Sequence, residues 1–231
     1  MCGIIAVLRP PGARLAPSAD DVTGPLHDAA ATLVSNLPLV EACSRAAEHL
    51  EASDARLRGP DGVWALVHDR RLLAEVEGLT AQLGETIKAI EAGLDAGSGG
   101  RDGDGDRDPL EAVNAAVVRL KDAVWSIDRD RVRTARGVAD LAGSEPGWAA
   151  TEAYSAIQQA LSAVDRLEVR GRDSAGLHVL VRGHGLDVTS AAVTSMLAER
   201  ASDPLFRSGA VRAVDGCLSF VYKAAAEIGE L

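Results

Sequence analysis

The amino-acid sequence predicts an α+β protein dominated by helices. Apolar residues make up 47% of the 231 residues and aromatic residues only 3%, so the core must consist mainly of Ala, Leu and Val, a composition that favours helices. The middle of the chain repeats apolar residues at spacings of three and four, which is typical of amphipathic helices. A short apolar run at the start and an alternating run near residue 180 predict strands.

Charge and cysteine content exclude several classes of protein. The net charge of −10 argues against non-specific binding of nucleic acid or of anionic membranes. No uninterrupted apolar run approaches the roughly 18 residues of a membrane span, and no basic region precedes the first apolar run as in a signal peptide. The three scattered cysteines predict neither a disulfide framework nor a zinc site. We therefore expect a cytoplasmic protein without metal or cofactor.

The first sixty residues predict a strand followed by helices. Residues 3–8 are small or β-branched and apolar and are followed by Pro10-Pro11-Gly12, which predicts a buried strand and a turn. Residues 19–57 follow a helical pattern that Pro38 interrupts, so a kink or a new helix start is expected there. Residues 59–62, with the sequence GPDG, predict a turn.

Residues 62–127 predict an antiparallel helical hairpin of the coiled-coil type. The helix predicted over 62–96 carries an apolar seam that resumes after residue 109. The Gly- and Asp-rich stretch 97–108 forms the tip of the hairpin. The seam consists of Leu73, Val76, Thr80, Leu83, Ile87, Ile90 and Leu94, then Leu110, Val113, Val117, Leu120, Val124 and Ile127.

A calcium loop is the alternative interpretation of this tip. Asp102, Asp104 and Asp106 have the spacing of the first three ligands of an EF-hand. Arg107 stands where the turn glycine belongs, and Val113 stands where the bidentate glutamate belongs. The pattern favours a solvated tip over a weak cation site.

The last third of the chain predicts a helix, a strand and further helix. The helical block ends at residues 142–147, and a helix with Tyr154 and Leu161 on one face follows. Residues 177–181 alternate as a strand that turns at Gly183, with His178 as a half-exposed strand residue. The last forty residues predict helix with a break near residues 203–204, and Cys43 and Cys217 are expected to be small core residues.

The cysteine that follows the initiator methionine is a candidate nucleophile. Removal of Met1 would place both a thiol and a free α-amine on Cys2. An α-amine titrates close to neutral pH, so it can accept the proton of the thiol. A nucleophile with its own base is the arrangement of N-terminal-nucleophile hydrolases.

Two motifs resemble the class II glutamine amidotransferases. The opening run CGIIA at residues 2–6 is similar to their mature N-terminus. The segment Arg166–Gly176, with the sequence RLEVRGRDSAG, resembles the Arg-Gly-Tyr-Asp-Ser-Ala-Gly segment of the sugar-phosphate branch, with Arg172 in place of the tyrosine. Together the motifs cover fewer than twenty residues, and a chance likeness of an ordinary strand and turn is the alternative.

This resemblance implies an N-terminal-nucleophile αββα glutaminase fold, here partial and interrupted by the helical hairpin. It also implies that glutamine is hydrolysed to glutamate and ammonia through a thioester on Cys2, and that ammonia passes to a sugar-phosphate acceptor. Arg170 and Gly171 would line the wall beside the nucleophile, and Asp173 would fix the turn. The glutaminase part would comprise residues 1–11 and 151–231, and residues 12–150 would be an inserted helical module for docking or oligomerisation.

The chain also departs from the family pattern. It has two asparagines, neither followed by glycine, so the family's Asn-Gly oxyanion pair has no counterpart, nor has its His-Thr-Arg-Trp segment. We therefore expect the N-terminal part of a longer homo-oligomeric enzyme with a downstream sugar isomerase-like synthase domain, inactive as 231 residues alone. The alternative is a non-catalytic helical interaction module that retains a remnant of the glutaminase fold.

Overall fold

The computed structural model describes residues 4–9, 12–98, 107–143, 145–167, 174–202 and 211–225. The chain divides into two compact units. One, the helical unit, comprises Val7–Gln159, and the other, the sheet unit, comprises Met1–Ala6 and Ala160–Leu231. At this level the molecule is an α+β protein dominated by helices, as predicted.

The first two helices begin at clear local signals. Helix α1 spans Ala19–Leu33, and Ser18 caps it by accepting a hydrogen bond from the Asp21 amide while the Asp21 carboxylate accepts one from the Ser18 amide. Helix α2 spans Leu39–Leu57 and begins directly after Pro38. The interruption predicted at Pro38 is therefore the start of a new helix.

The helix predicted over 62–96 is wrong as a single element, because it is divided into α3, Gly59–His68, and α4, Arg70–Ser98. Asp69 separates them with an extended backbone, and its carboxylate accepts hydrogen bonds from the amides of Arg71 and Leu72 in the first turn of α4. The turn predicted over 59–62 is instead the first turn of α3, where Gly59 adopts the positive φ of 78° that redirects the chain after α2.

The second half of the predicted hairpin is one continuous helical segment. Helix α5, Arg107–Trp125, passes into a π-helical segment, Ser126–Val132, and then into α6, Arg133–Ala142. Two ion pairs join it to α4: Glu91 with Lys121 at 2.6 Å and Glu77 with Arg136 at 2.5 Å. Because the partner's number falls as the number on α4 rises, the two segments are antiparallel, as predicted.

The hairpin is not a separate rod but half of a helical bundle. Helix α1 packs against α2 and α4, and α5 packs against α2 and α4, so the four helices share one core. Burial of the predicted seam is confirmed at Val76, Thr80, Leu83, Ile87, Val117, Leu120 and Ile127. The seam is buried by α1 and α2 as well as by the facing arm of the hairpin.

Helix α7, Trp148–Leu167, follows the predicted end of the helical block. Its first half lies on the helical unit, where the Trp148 ring stacks on Trp64 of α3 with centroids 4.0 Å apart. Further along, the Gln158 side chain lies against Gly137 of α6, where a Cβ atom would come within 2.7 Å of Gln158 Nε2. Glycine at position 137 therefore allows α7 to approach α6 closely.

The sheet unit contains three antiparallel strands in the order β1-β3-β2. Strand β1 is Ser174–Arg182, which confirms the predicted strand, and helix α8, Ala191–Ser202, contacts β2. Strands β2, Val211–Val214, and β3, Cys217–Ala225, show that the helix predicted for this part of the chain is wrong. The predicted break at residues 203–204 lies outside the described residues.

The pair Asp215 and Gly216 explains this difference. Both residues have positive φ, 51° and 71°, which is the backbone of a two-residue hairpin turn whose twist matches that of the strands. Aspartate followed by glycine between alternating residues is a hairpin signal that the helical interpretation overlooked.

Two further expectations are corrected. The described part of the predicted strand 3–8 has no regular secondary structure, and Ile4 and Leu8 are 95% and 94% exposed. Within the described residues the sheet pairs only β1, β2 and β3 with one another, so this run has no neighbouring strand to satisfy its backbone. Cys43 is a buried core residue as predicted, but Cys217 is only half-buried.

Among the helices that are described, none has the length and apolarity to cross a membrane.

Because one face of α5 is buried in the shared core, we expect shortening of a side chain on that face, and not on the exposed face, to lower the free energy of unfolding. Leu120→Ala removes a fully buried side chain and should lower the free energy of unfolding by about 2–5 kcal/mol. Val118→Ala, two residues away on the same helix, removes a side chain that is 56% exposed and should change it by less than about 0.5 kcal/mol. Chemical denaturation of both variants measures the difference, and equal losses would contradict the assigned face.

Candidate functional site

The candidate site residues predicted from the sequence are Cys2, Arg170, Gly171 and Asp173, and all four lie outside the described residues. Their positions in the chain nevertheless fall within the two ranges that make up the sheet unit. Along the chain, the described residues nearest to them are Ile4, Leu167 and Ser174, the first residue of β1.

Strand β1 begins at Ser174, directly after Asp173. Its first three residues pair with the last three of β3: Ser174 with Ala225, and Gly176 with Lys223. The end of the RLEVRGRDSAG segment is therefore incorporated into the sheet, at the end where β3 finishes. This register defines the end of the sheet at which β1 begins.

One face of the sheet carries two side-chain pairs between β1 and β3. His178 Nε2 lies 3.0 Å from the hydroxyl oxygen of Ser219, and Arg182 Nε donates a hydrogen bond to Cys217 Sγ at 3.2 Å. Leu180, between the two β1 residues, is exposed on the same face. His178 and its neighbours are the only described residues of the sheet unit that combine a histidine with a hydroxyl or thiol side chain in hydrogen-bond contact.

A histidine nitrogen next to a hydroxyl has the geometry of a base and a nucleophile. Catalysis also requires that a substrate reach the hydroxyl, and Ser219 is only 6% exposed. The pair therefore acts in the described sheet as a cross-strand link that satisfies a buried hydroxyl. Sequence reasoning missed it because residues 211–225 were predicted to be helical, so no register joined Ser219 to His178.

The helical unit contains a second cluster of charged residues, centred on the buried carboxylate of Asp54. Arg131 Nε donates to Asp54 Oδ1 at 2.7 Å, and Arg58 Nε donates to Oδ2 at 2.8 Å. Arg131 belongs to the π-helical segment, a type of helix that is often found at functional sites. Two guanidinium groups thus compensate one buried carboxylate, which would be costly to bury alone.

Beside this cluster, a groove of about 510 Å³ runs between α2 and α5. Glu51 on one wall forms a bidentate ion pair with Arg119 on the other, with N–O distances of 2.8 and 2.7 Å. This pair lowers the pKa of Glu51 and raises that of Arg119. An anionic ligand would have to displace Glu51 or Asp54 from its arginine, so the groove favours a structural ion-pair network over an anion site.

No metal site is found in the part of the chain that the structure describes, where no three His, Cys, Asp or Glu side chains converge. The aspartates of the calcium alternative, Asp102, Asp104 and Asp106, lie outside that part.

Comparison with family models, curated proteins and solved structures finds no match to this chain. The resemblance to class II amidotransferases therefore depends on the two sequence motifs and on the chemistry of their residues.

The buried cluster predicts unequal roles for its two arginines. Arg131→Met should lower the free energy of unfolding by about 3 kcal/mol, because a buried carboxylate loses its least exposed partner. Arg58→Met should cost at most about 1 kcal/mol, because the Arg58 side chain is 65% exposed. Urea denaturation at neutral pH compares the two, and the prediction is wrong if Arg58→Met costs more.

Proposed function

We propose that this chain is the N-terminal segment of a glutamine amidotransferase that hydrolyses glutamine to glutamate and ammonia, with Cys2 as the nucleophile. The observation that carries the proposal is the division of the chain into two units. Met1–Ala6 and Ala160–Leu231 form one unit, although more than 150 residues separate them. The two motifs that resemble the amidotransferases belong to those ranges, and the residues between them form a helical unit with its own core.

The proposed chemistry needs one residue for two roles. After removal of Met1, the α-amine of Cys2 takes the thiol proton while the sulfur attacks the side-chain amide carbon of glutamine. The carbon–nitrogen bond breaks, the α-amine returns its proton to the leaving nitrogen, and ammonia departs. Water then hydrolyses the thioester to glutamate and regenerates the thiol.

The remaining parts of the proposal follow from the resemblance. Arg170 and Gly171 would form the wall beside Cys2, and Asp173 would hold the turn into β1. The sheet of β1, β2 and β3, with α8 in contact with β2, would supply part of an αββα fold. Ammonia would pass to a sugar-phosphate site in a downstream synthase domain of a homo-oligomer.

A non-catalytic interaction module is the second candidate. The helical unit has a core of its own, and its helix α5 exposes Val118 and Trp125, which are seven residues apart and therefore on one face.

The state of the mature N-terminus distinguishes the two candidate functions. Mass spectrometry of the native protein should find Cys2 as the first residue, whereas retention of Met1 would leave Cys2 without a free α-amine and would favour the interaction module.

We expect a glutamine-mimicking electrophile to label Cys2 of the native protein much faster than Cys43 or Cys217. Cys43 is fully buried, and burial raises the pKa of its thiol, so its reaction should be slow. Cys217 is half-buried and is the matched control for simple accessibility. Peptide mapping by mass spectrometry measures the three rates.

Two controls make this labelling specific. Excess glutamine should protect Cys2 and leave Cys217 unaffected, and a neutral alkylating reagent without a glutamine-like group should not select Cys2. Labelling of Cys2 that glutamine does not slow would contradict the proposed active site.

A further inference from the structure

Helix α5 carries a second row of residues, which faces away from the shared core. Successive members of this row are separated by four, three, four, three and four residues, a spacing that keeps side chains on one face of a helix. Every member is exposed, and the last one lies in the π-helical segment that follows α5. This row, which we call the outer seam, consists of Glu111, Ala115, Val118, Asp122, Trp125 and Arg129.

The outer seam combines a large exposed ring with an open space. The Trp125 side chain is 52% exposed. Ala115 and Val118 line the groove of about 510 Å³ between α2 and α5, which is larger than an indole ring. A single helix face therefore presents both a projecting aromatic side chain and, ten residues before it, a groove bordered by small side chains.

The outer seam is complementary to itself when it is read in the opposite direction. Its spacing is the same in both directions, so two copies of α5 can lie antiparallel with their outer seams facing each other across a two-fold axis. The axis then passes midway between Val118 and Asp122. The facing pairs are Glu111 with Arg129, Ala115 with Trp125, and Val118 with Asp122.

The charges of the outer seam favour this antiparallel arrangement over a parallel one. In the antiparallel arrangement Glu111 of each copy faces Arg129 of the other, so both ends of the seam bring opposite charges together. In a parallel arrangement each residue would face its own counterpart, and Glu111, Asp122 and Arg129 would each meet a like charge. Like charges that face each other across an interface suppress the wrong pairing.

The ion pair that Arg129 forms within its own chain does not compete strongly with this contact. Arg129 Nε lies 3.1 Å from Oδ2 of the neighbouring Asp128, and both side chains are exposed. An exposed ion pair contributes at most about 1 kcal/mol. Arg129 can therefore also meet Glu111 of a second copy.

The sizes of the side chains agree with the charges. In the antiparallel arrangement the Trp125 ring of one copy enters the groove of the other beside Ala115, where the methyl group leaves room for it. The two-fold axis repeats this contact, so the interface closes with two copies. A tryptophan that fills a pocket often provides a large part of the binding energy of an interface.

We propose that the outer seam is a dimerisation surface, on which two copies of this chain pair antiparallel through α5. The surface belongs to the helical unit alone, so the proposal depends neither on Cys2 nor on glutamine hydrolysis. One helix and one groove from each copy form a small interface, below roughly 1,200 Å², which is typical of weak association. The dimer therefore dissociates on dilution.

Sedimentation velocity of the native protein over a wide range of concentrations tests whether the chain dimerises. The expected result is a monomer at low concentration and a dimer at high concentration. A monomer at every concentration up to the limit of solubility would overturn the proposal, because a second copy would then not occupy the outer seam.

Two charge-reversal variants test the antiparallel alignment. Glu111→Arg makes both ends of the seam positive and Arg129→Glu makes both ends negative, so each variant alone should dimerise about tenfold more weakly than the native protein. In a mixture of the two variants, both end contacts of the mixed dimer join opposite charges again. Mixing should therefore restore association, which misfolded variants could not do. If the mixture associates no better than its components, the alignment is wrong.

Matched controls lie on α4, where Glu85 and Lys88 form an exposed ion pair outside the outer seam. Glu85→Arg and Lys88→Glu reverse the same kinds of charge and should leave association unchanged, both alone and mixed. Circular dichroism of every variant should show the helicity of the native protein, because all of these side chains are exposed.

Two variants test the contact of the ring with the groove. Trp125→Ala removes the ring and Ala115→Trp fills the space that receives it, so each should weaken dimerisation about tenfold or more. If the native protein dimerises and neither these nor the charge-reversal variants change its dissociation constant, another surface joins the copies and the proposal fails. Labelling of Cys2 by the glutamine-mimicking electrophile tests the proposed function separately, since no substituted residue belongs to that site.

Discussion

The burial of leucine, valine and isoleucine between α1, α2, α4 and α5 is the interaction on which the helical unit depends. With few aromatic residues, the chain fills this core with branched aliphatic side chains and alanine, which fit the spacing of packed helices. The apolar seam between the two arms of the hairpin also packs against α1 and α2. Once four helices share one core, the polar clusters at its surface, such as Asp54 with its two arginines, acquire fixed partners.

Closing the helical unit at its ends has a consequence for the rest of the chain. A unit of about 150 residues placed within another unit disturbs it least when its first and last residues lie together, because the entropy of closing the surrounding chain then changes little. The bonds from Arg9, Gly12 and Arg14 to α7 provide such closure with side chains and one backbone amide. Helix α7 is well suited to this task, since it begins within the helical unit and ends in the sheet unit.

The candidate nucleophile Cys2 and the polar clusters of the described structure are recognised from different kinds of information. Cys2 is a candidate because of what its own atoms can do after Met1 is removed, and no tertiary contact is needed to recognise it. The His178–Ser219 pair and the Asp54 cluster are visible only once strands and helices are paired, and each satisfies a buried polar group. Hydrogen-bonded contact between polar side chains therefore does not by itself identify a catalytic site, because a substrate must also be able to reach the reacting group.

The sequence by itself determined the helices and the seam, because a helix depends on side chains three and four residues apart, and capping residues such as Ser18 act within one turn. It determined the Cys2 hypothesis for the same local reason. Tertiary structure decided the rest: the bundle partners of α4 and α5, the exposure of Ile4 and Leu8, and the pairing of β3 with β1. A strand is stable only with a neighbour, and that neighbour can lie forty residues away, so its pairing cannot be inferred from local periodicity.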